Sequence, residues 1–164
     1  MNARSEKYAY NNANANSKPQ SRFMALLGSA ILLFIVVHMA NFWAKMHFGE
    51  LGTYKYELQE LKPLYLVVVA FFKHPDYGMI AAILYAVSMV VLGFHLSHGF
   101  AAGFQSLGIN HPKYNPIIKK VGTIFSVLVP VLFAAIPLYV AFGLDIEYEY
   151  AEGMLERIAE SSKK

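Results

Sequence analysis

Six histidines are the residues of this chain best equipped for chemistry, and three of them, His38, His95 and His98, lie within stretches long and apolar enough to span a membrane. A coordinating side chain in that setting is costly and marks a functional site by default. Two chemistries compete for each. A neutral imidazole can donate to a backbone carbonyl of a neighbouring helix, or it can hold a metal, haem iron being the common case. Neighbouring residues bear on the choice. Ser88, His95, Gly99 and Gly103 follow one another at intervals of seven, four and four, which lines them along one helix face. A flat porphyrin needs small residues beside its ligand, and the stripe supplies them. The same stripe would equally serve close helix packing through small-xxx-small contacts. Gly28, Ile31 and Phe42 share a face with His38, again leaving a small residue about three turns from the imidazole. His98 falls about 60° off the stripe and reads as a hydrogen-bonding neighbour of His95 rather than a second ligand. His47, His74 and His111 sit in connecting segments and read as solvated.

The elements that must position these histidines follow from where charge is missing. Of 164 residues, 56% are hydrophobic and only 15% charged, where a soluble domain carries about 25%. The absence of cysteine excludes disulfides, thiolate metal sites, iron–sulfur clusters held by this chain and covalent c-type haem. No Walker loop and no dinucleotide-binding glycine fingerprint is present. Three runs lack Lys, Arg, Asp and Glu altogether: 22 residues from Phe23 to Ala44, 36 from Tyr77 to Pro112 and 24 from Val121 to Leu144. A helix needs about 20 apolar residues to cross the hydrocarbon layer. The expectation is an all-α transmembrane helical bundle with spans at about 23–44, 78–105 and 121–143. Gly108, Asn110 and Pro112 close the second span as a loop. The apolar stretch Pro63–Phe72 is too short to cross and predicts an interfacial helix at about 60–72. A polar leader (1–22) and an acidic tail (144–164), the latter permitting a short amphipathic helix, complete the chain. The first span is longer than a signal-peptide core and no small-x-small cleavage pattern follows it, so it stays in the membrane.

Loop charges orient the bundle. Arg4, Lys7, Lys18 and Arg22 precede the first span, and Lys113, Lys119 and Lys120 follow the second with no acid among them. Segment 45–76 is balanced, and the tail carries six acids against three bases. The positive-inside rule places the N-terminus and the 106–120 loop in the cytoplasm, with 45–76 and the C-terminus outside. The basic balance therefore needs no nucleic acid to explain it. Depth then separates the histidines. His38 lies about 24 Å along its helix from Arg22, and His95 about 15 Å from Gln105, so the two cannot readily sandwich one iron. If both are ligands, two haems stack across the bilayer, each lacking one axial partner from this chain. Pro130 and Pro137 should kink the third span, which carries no histidine and reads as an outer wall. Trp43 and the tyrosines near span ends read as interfacial anchors. A haem-free structural anchor and a small transporter component are the alternatives. The second lacks a carboxylate within any span to relay cations.

The segments GFHLSHGFAAGFQSLGINHPKYNP (Gly93–Pro116), VVHMANFW (Val36–Trp43) and YNNANANSK (Tyr10–Lys18) carry a resemblance. Together they resemble the cytochrome b subunit of succinate dehydrogenase/fumarate reductase, of the bacterial b558 type with five spans and two haems b. The likeness runs from about Tyr10 to Gly143, and the step from His95 to Gly99 followed by the aromatic-rich turn to Gly108 is its most specific part. In that family four histidines on four helices hold the haems, the first pairing with the third and the second with the fourth. The resemblance implies that His38 matches the third and serves the outer haem, while His95 matches the fourth and serves the inner. The family has two further spans ahead of the segment matching Tyr10, so the chain is expected to correspond to the C-terminal three-fifths of such a subunit, whether as a fragment, a late start or a split protein. It further implies a bacterial inner-membrane location, flavoprotein and iron–sulfur partner subunits on the cytoplasmic side, and a menaquinone-type quinone as redox partner. Ser17, Ser21 and Arg22 could reach the inner haem's propionates, and the basic 106–120 loop is a candidate docking surface for the iron–sulfur subunit. No dicarboxylate chemistry is implied for this chain.

Overall fold

The computed structural model describes residues 23–49, 51–56, 59–109 and 111–162. The leader, with Ser17, Ser21 and Arg22, lies outside the described residues. The architecture is all-α: five helices, three of them long and apolar enough to cross a membrane. Helix α1 runs Met24–Phe48, α2 Leu64–Phe72, α3 Gly78–Ser106, α4 Asn115–Gly143 and α5 Tyr148–Ser161. Between α1 and α2 a small hairpin pairs β1 (Tyr54–Tyr56) with β2 (Gln59–Leu61), antiparallel with Tyr54 opposite Leu61.

The three long helices are not equal partners. Helices α3 and α4 pack along most of their length, and α1 meets α3 over a shorter seam. Two glycines set the α3–α4 approach. A Cβ on Gly93 would stand 3.1 Å from the Ser126 carbonyl oxygen, and one on Gly122 would fall 2.6 Å from the Phe100 ring. The Ser126 carbonyl is the acceptor that Pro130, lacking an N–H, leaves unserved one turn on, and Gly93 lets α3 lie against it. Both prolines are buried. The third span packs on α3 through these prolines and leaves most of its other large side chains exposed, and it stays α-helical through both prolines before relaxing into a π-turn at Tyr139–Gly143. By contrast, α1 is apolar all round, and from Met24 to His38 it buries no residue within the chain. A helix with that pattern is surrounded by lipid or by another protein.

Three boundaries differ from expectation. Helix α4 begins at Asn115, six residues before the charge-free run, because Pro116 is preorganised for a first helical turn. Lys119 and Lys120 follow on the second turn, where long side chains can still reach the polar layer. The interfacial helix starts at Leu64 rather than near 60, since Gln59–Leu61 is paired as a strand and Pro63 holds the entry position. Helix α1 continues past Ala44 through Lys45–Phe48. The second span ends as its glycine suggested. Gly108 takes φ +80, its N–H bonds the Gln105 carbonyl at 3.1 Å, and the Ile109 N–H bonds the Phe104 carbonyl at 3.0 Å. Those two bonds form a Schellman cap that satisfies the last carbonyls of α3.

Helices α2 and α5 and the hairpin gather over one end of the bundle, hereafter the capped end. Val69 and Ala151 are fully buried there, and the Lys62 ammonium donates to the Met46 carbonyl. Gly52 lies against the backbone of α5, where a Cβ would come within 2.2 Å of the Ile158 carbonyl oxygen. His74 stacks on Tyr77 at 3.8 Å and meets Tyr148 edge-on. The Tyr148 hydroxyl donates to Glu152 one turn along α5, and that bond, with the negative charge, pushes the phenol up to about 12. Because the folded value is raised, this contribution to stability is intact below pH ~10 and is lost as pH climbs from there toward 12. In Tyr-labelled NMR titrations, Tyr148 should ionise about two pH units above the free phenol, and Glu152→Gln should lower that value.

Candidate functional site

The seam between α1 and α3 holds both intramembrane histidines singled out by sequence, at different levels. His38 faces Tyr85, with ring centroids 5.9 Å apart, and is flanked on its own helix by Phe34 at 5.7 Å and Phe42 at 5.2 Å. His95 faces Gly28, whose added Cβ would stand 3.6 Å from the imidazole Cε1. The two helices are antiparallel, and each pair of facing positions is ten residues from the other on both. That offset is about 15 Å along the bundle. Gly28 therefore belongs to the level of His95, not to that of His38, with which its sequence face grouped it.

Around His38 the four helices α1 to α4 converge on a cavity of about 390 Å³, within the range of small-molecule and cofactor sites. Leu64, Val68 and Phe72 of α2 form its roof, and Phe133, Ile136 and Pro137 of α4 close the far side. Apart from His38 and Tyr85 the lining is apolar. The Asn41 amide donates to the Tyr85 hydroxyl at 2.9 Å, which fixes the phenol beside the imidazole. His38 itself makes no hydrogen bond to a described residue. Sequence reasoning passed over Asn41 and Tyr85. The available signal was an amide in the first span and a tyrosine well inside the second, both costly without a partner.

Around His95 the decisive features are an unserved nitrogen and spare room. His95 Nδ1 is buried without a hydrogen-bond partner, the only such side-chain atom among the described residues. Buried polar atoms are nearly always paired. The small residues of the stripe are not forced by contact with α1. A Cβ on Gly28 would make only ordinary van der Waals contact, one on Gly99 would approach Met24 at 3.9 Å, and one on Gly103 would touch nothing within 4 Å. This differs from Gly93 and Gly122, where the opposing helix leaves no such room. Ser88 also lines the α1–α3 groove and returns its hydroxyl to the Leu84 carbonyl at 2.9 Å.

These residues suit a planar group bearing a metal with open axial positions. A neutral imidazole is a common metal ligand, and Gly99 and Gly103 leave open space along its helix face, while Gly28 packs at ordinary van der Waals distance from the ring. Among the described residues no three His, Cys, Asp or Glu side chains gather to hold a bare ion, so each histidine acts singly. His98 faces away from this seam into a separate cavity between α3 and α4. Comparison of the chain with protein-family models, with curated proteins and with solved structures returned no match. The molecule is a helical protein with three candidate membrane spans, and its function must be argued from this seam.

Proposed function

We propose that this chain is a haem b-binding membrane anchor of a succinate:quinone oxidoreductase, passing electrons between an iron–sulfur subunit and a menaquinone-type quinone. The observation that carries the reading is the pair of single imidazoles in one seam, about 15 Å apart along the bundle, each with an unused nitrogen and apolar surroundings. Two levels suit two haems in series better than one shared iron. Haem, when bound, supplies one-electron redox chemistry. His38 and His95 would each hold one haem through a single imidazole, and the exposed face of α1 leaves room for a partner polypeptide there. Phe34, Phe42 and Tyr85 pack their rings around His38, and packing of this kind orients a ligating imidazole. Asn41 holds Tyr85 in place. The resemblance of Gly93–Pro116 to the dihaem cytochrome b family supports the same assignment and supplies the flavoprotein and iron–sulfur partners, docked at the basic 106–120 loop on the cytoplasmic side of a bacterial inner membrane.

A haem-free anchor is the competing reading, favoured by the ordinary packing distance between His95 and Gly28. Spectra of the purified membrane assembly separate the two. On the haem reading, dithionite gives a bis-imidazole b-type α-band and succinate reduces at least part of it. A colourless, fully assembled complex would establish the haem-free anchor instead.

A further inference from the structure

A cavity of about 510 Å³ opens between α3 and α4 at the end opposite the cap. Its floor is set by the Phe100 ring lying on Gly122. Polar groups on its wall are graded by depth. Lys119 and Gln105 sit within about one turn of the helix ends, and His98 lies about 10 Å deeper along α3 than Gln105. The His98 ring makes no hydrogen bond to a described residue.

Charge makes this cavity hungry for an anion. From Tyr77 to Leu144 there is no Asp or Glu, and Lys113, Lys119 and Lys120 make no ion pair among the described residues. A basic pocket between spans at a membrane surface fits an acidic lipid headgroup. A second observation selects a lipid over a free anion. Ser97 lines both this cavity and an apolar groove of about 350 Å³, which climbs the same two helices past Phe94 and Val127 to Pro130. A cationic mouth leading into an oily furrow matches a molecule with a phosphate at one end and a hydrocarbon chain at the other. A zwitterionic headgroup carries its own cation beside the phosphate, so it brings no net negative charge to Lys119.

We infer that the α3–α4 groove binds one anionic phospholipid, its phosphate held by Lys119 and Gln105 and an acyl chain lying along the furrow toward Pro130. This inference needs only that the helices lie in lipid and is independent of haem. Native mass spectrometry of the full chain in a neutral detergent, titrated with phosphatidylglycerol or phosphatidylcholine, tests it. One phosphatidylglycerol should be retained in preference to phosphatidylcholine, and Lys119→Gln should weaken that binding about fivefold, the worth of one lysine at a lipid surface. Lys119→Arg should preserve it, which guards against a folding defect. Lys113→Gln removes the same charge from the loop outside the cavity and should leave the preference standing. Equal losses for Lys113→Gln and Lys119→Gln would reduce the effect to diffuse attraction and overturn the inference. Equal retention of both lipids, or displacement of phosphatidylglycerol by equimolar inorganic phosphate, would overturn it as well.

Discussion

His95→Ala should abolish one of two haem signals and leave the other in place, halving the pyridine-haemochrome yield of the purified assembly. Alanine offers no ligand, and the seam supplies no substitute, because His98 faces the α3–α4 cavity instead. The surviving signal should be that of His38. Its surroundings, Phe34, Phe42 and Tyr85, lie about 15 Å away along the bundle, and substitutions so far apart act independently. Thermal stability gives a second readout with opposite signs for the two readings. A haem ligand contributes binding energy that the variant loses, so its midpoint should fall. If His95 merely packed against Gly28, removing it would delete a buried unpaired nitrogen worth about 1–3 kcal/mol of penalty, offset by lost packing, and the midpoint would stay or rise.

Gly78→Val should destabilise the capped end by about 1–3 kcal/mol, the usual cost of forcing atoms into a filled site. A Cβ there would fall 2.4 Å from the Phe72 carbonyl oxygen, and this is backbone against backbone, which no rotamer relieves. Gly78 opens α3 and is buried where α2 turns into it. Separating that corner lifts Leu64, Val68 and Phe72 from the cavity that holds His38. The optical signal assigned to His38 should therefore broaden or fall while that of His95 persists, the mirror image of His95→Ala. A midpoint within experimental error of the parent would show that the corner is not tightly held.

Much of this architecture is legible in charge alone. The three runs without Lys, Arg, Asp or Glu mark α1, α3 and most of α4, because burying a charge in hydrocarbon is too costly to occur by accident. The criterion fails where charge and helix coexist. Lys119 and Lys120 conceal the first turn of α4, and only Pro116 hinted at its start. The hairpin was hidden for a different reason: strands of three residues between charged neighbours have no periodicity to detect, and their pairing is a tertiary fact. Depth was readable because the helical rise is fixed, so His38 and His95 could be separated from sequence. Their neighbours could not. Tyr85 beside His38, Gly28 beside His95 and the α2 roof depend on how helices dock, which spacing along one helix does not encode. The glycine stripe was ambiguous for the same reason. Only the facing surface distinguishes Gly93, which contact demands, from Gly99, which it does not.

On the proposed reading, two irons sit at two heights, each held by a single imidazole of this chain. Metal analysis of the intact, detergent-purified assembly counts them directly. Two iron atoms extracted as protohaem are expected per copy of this chain, falling to one in either His38→Ala or His95→Ala. A wild-type ratio of zero, or a ratio of one that both variants reduce to zero, would contradict that reading.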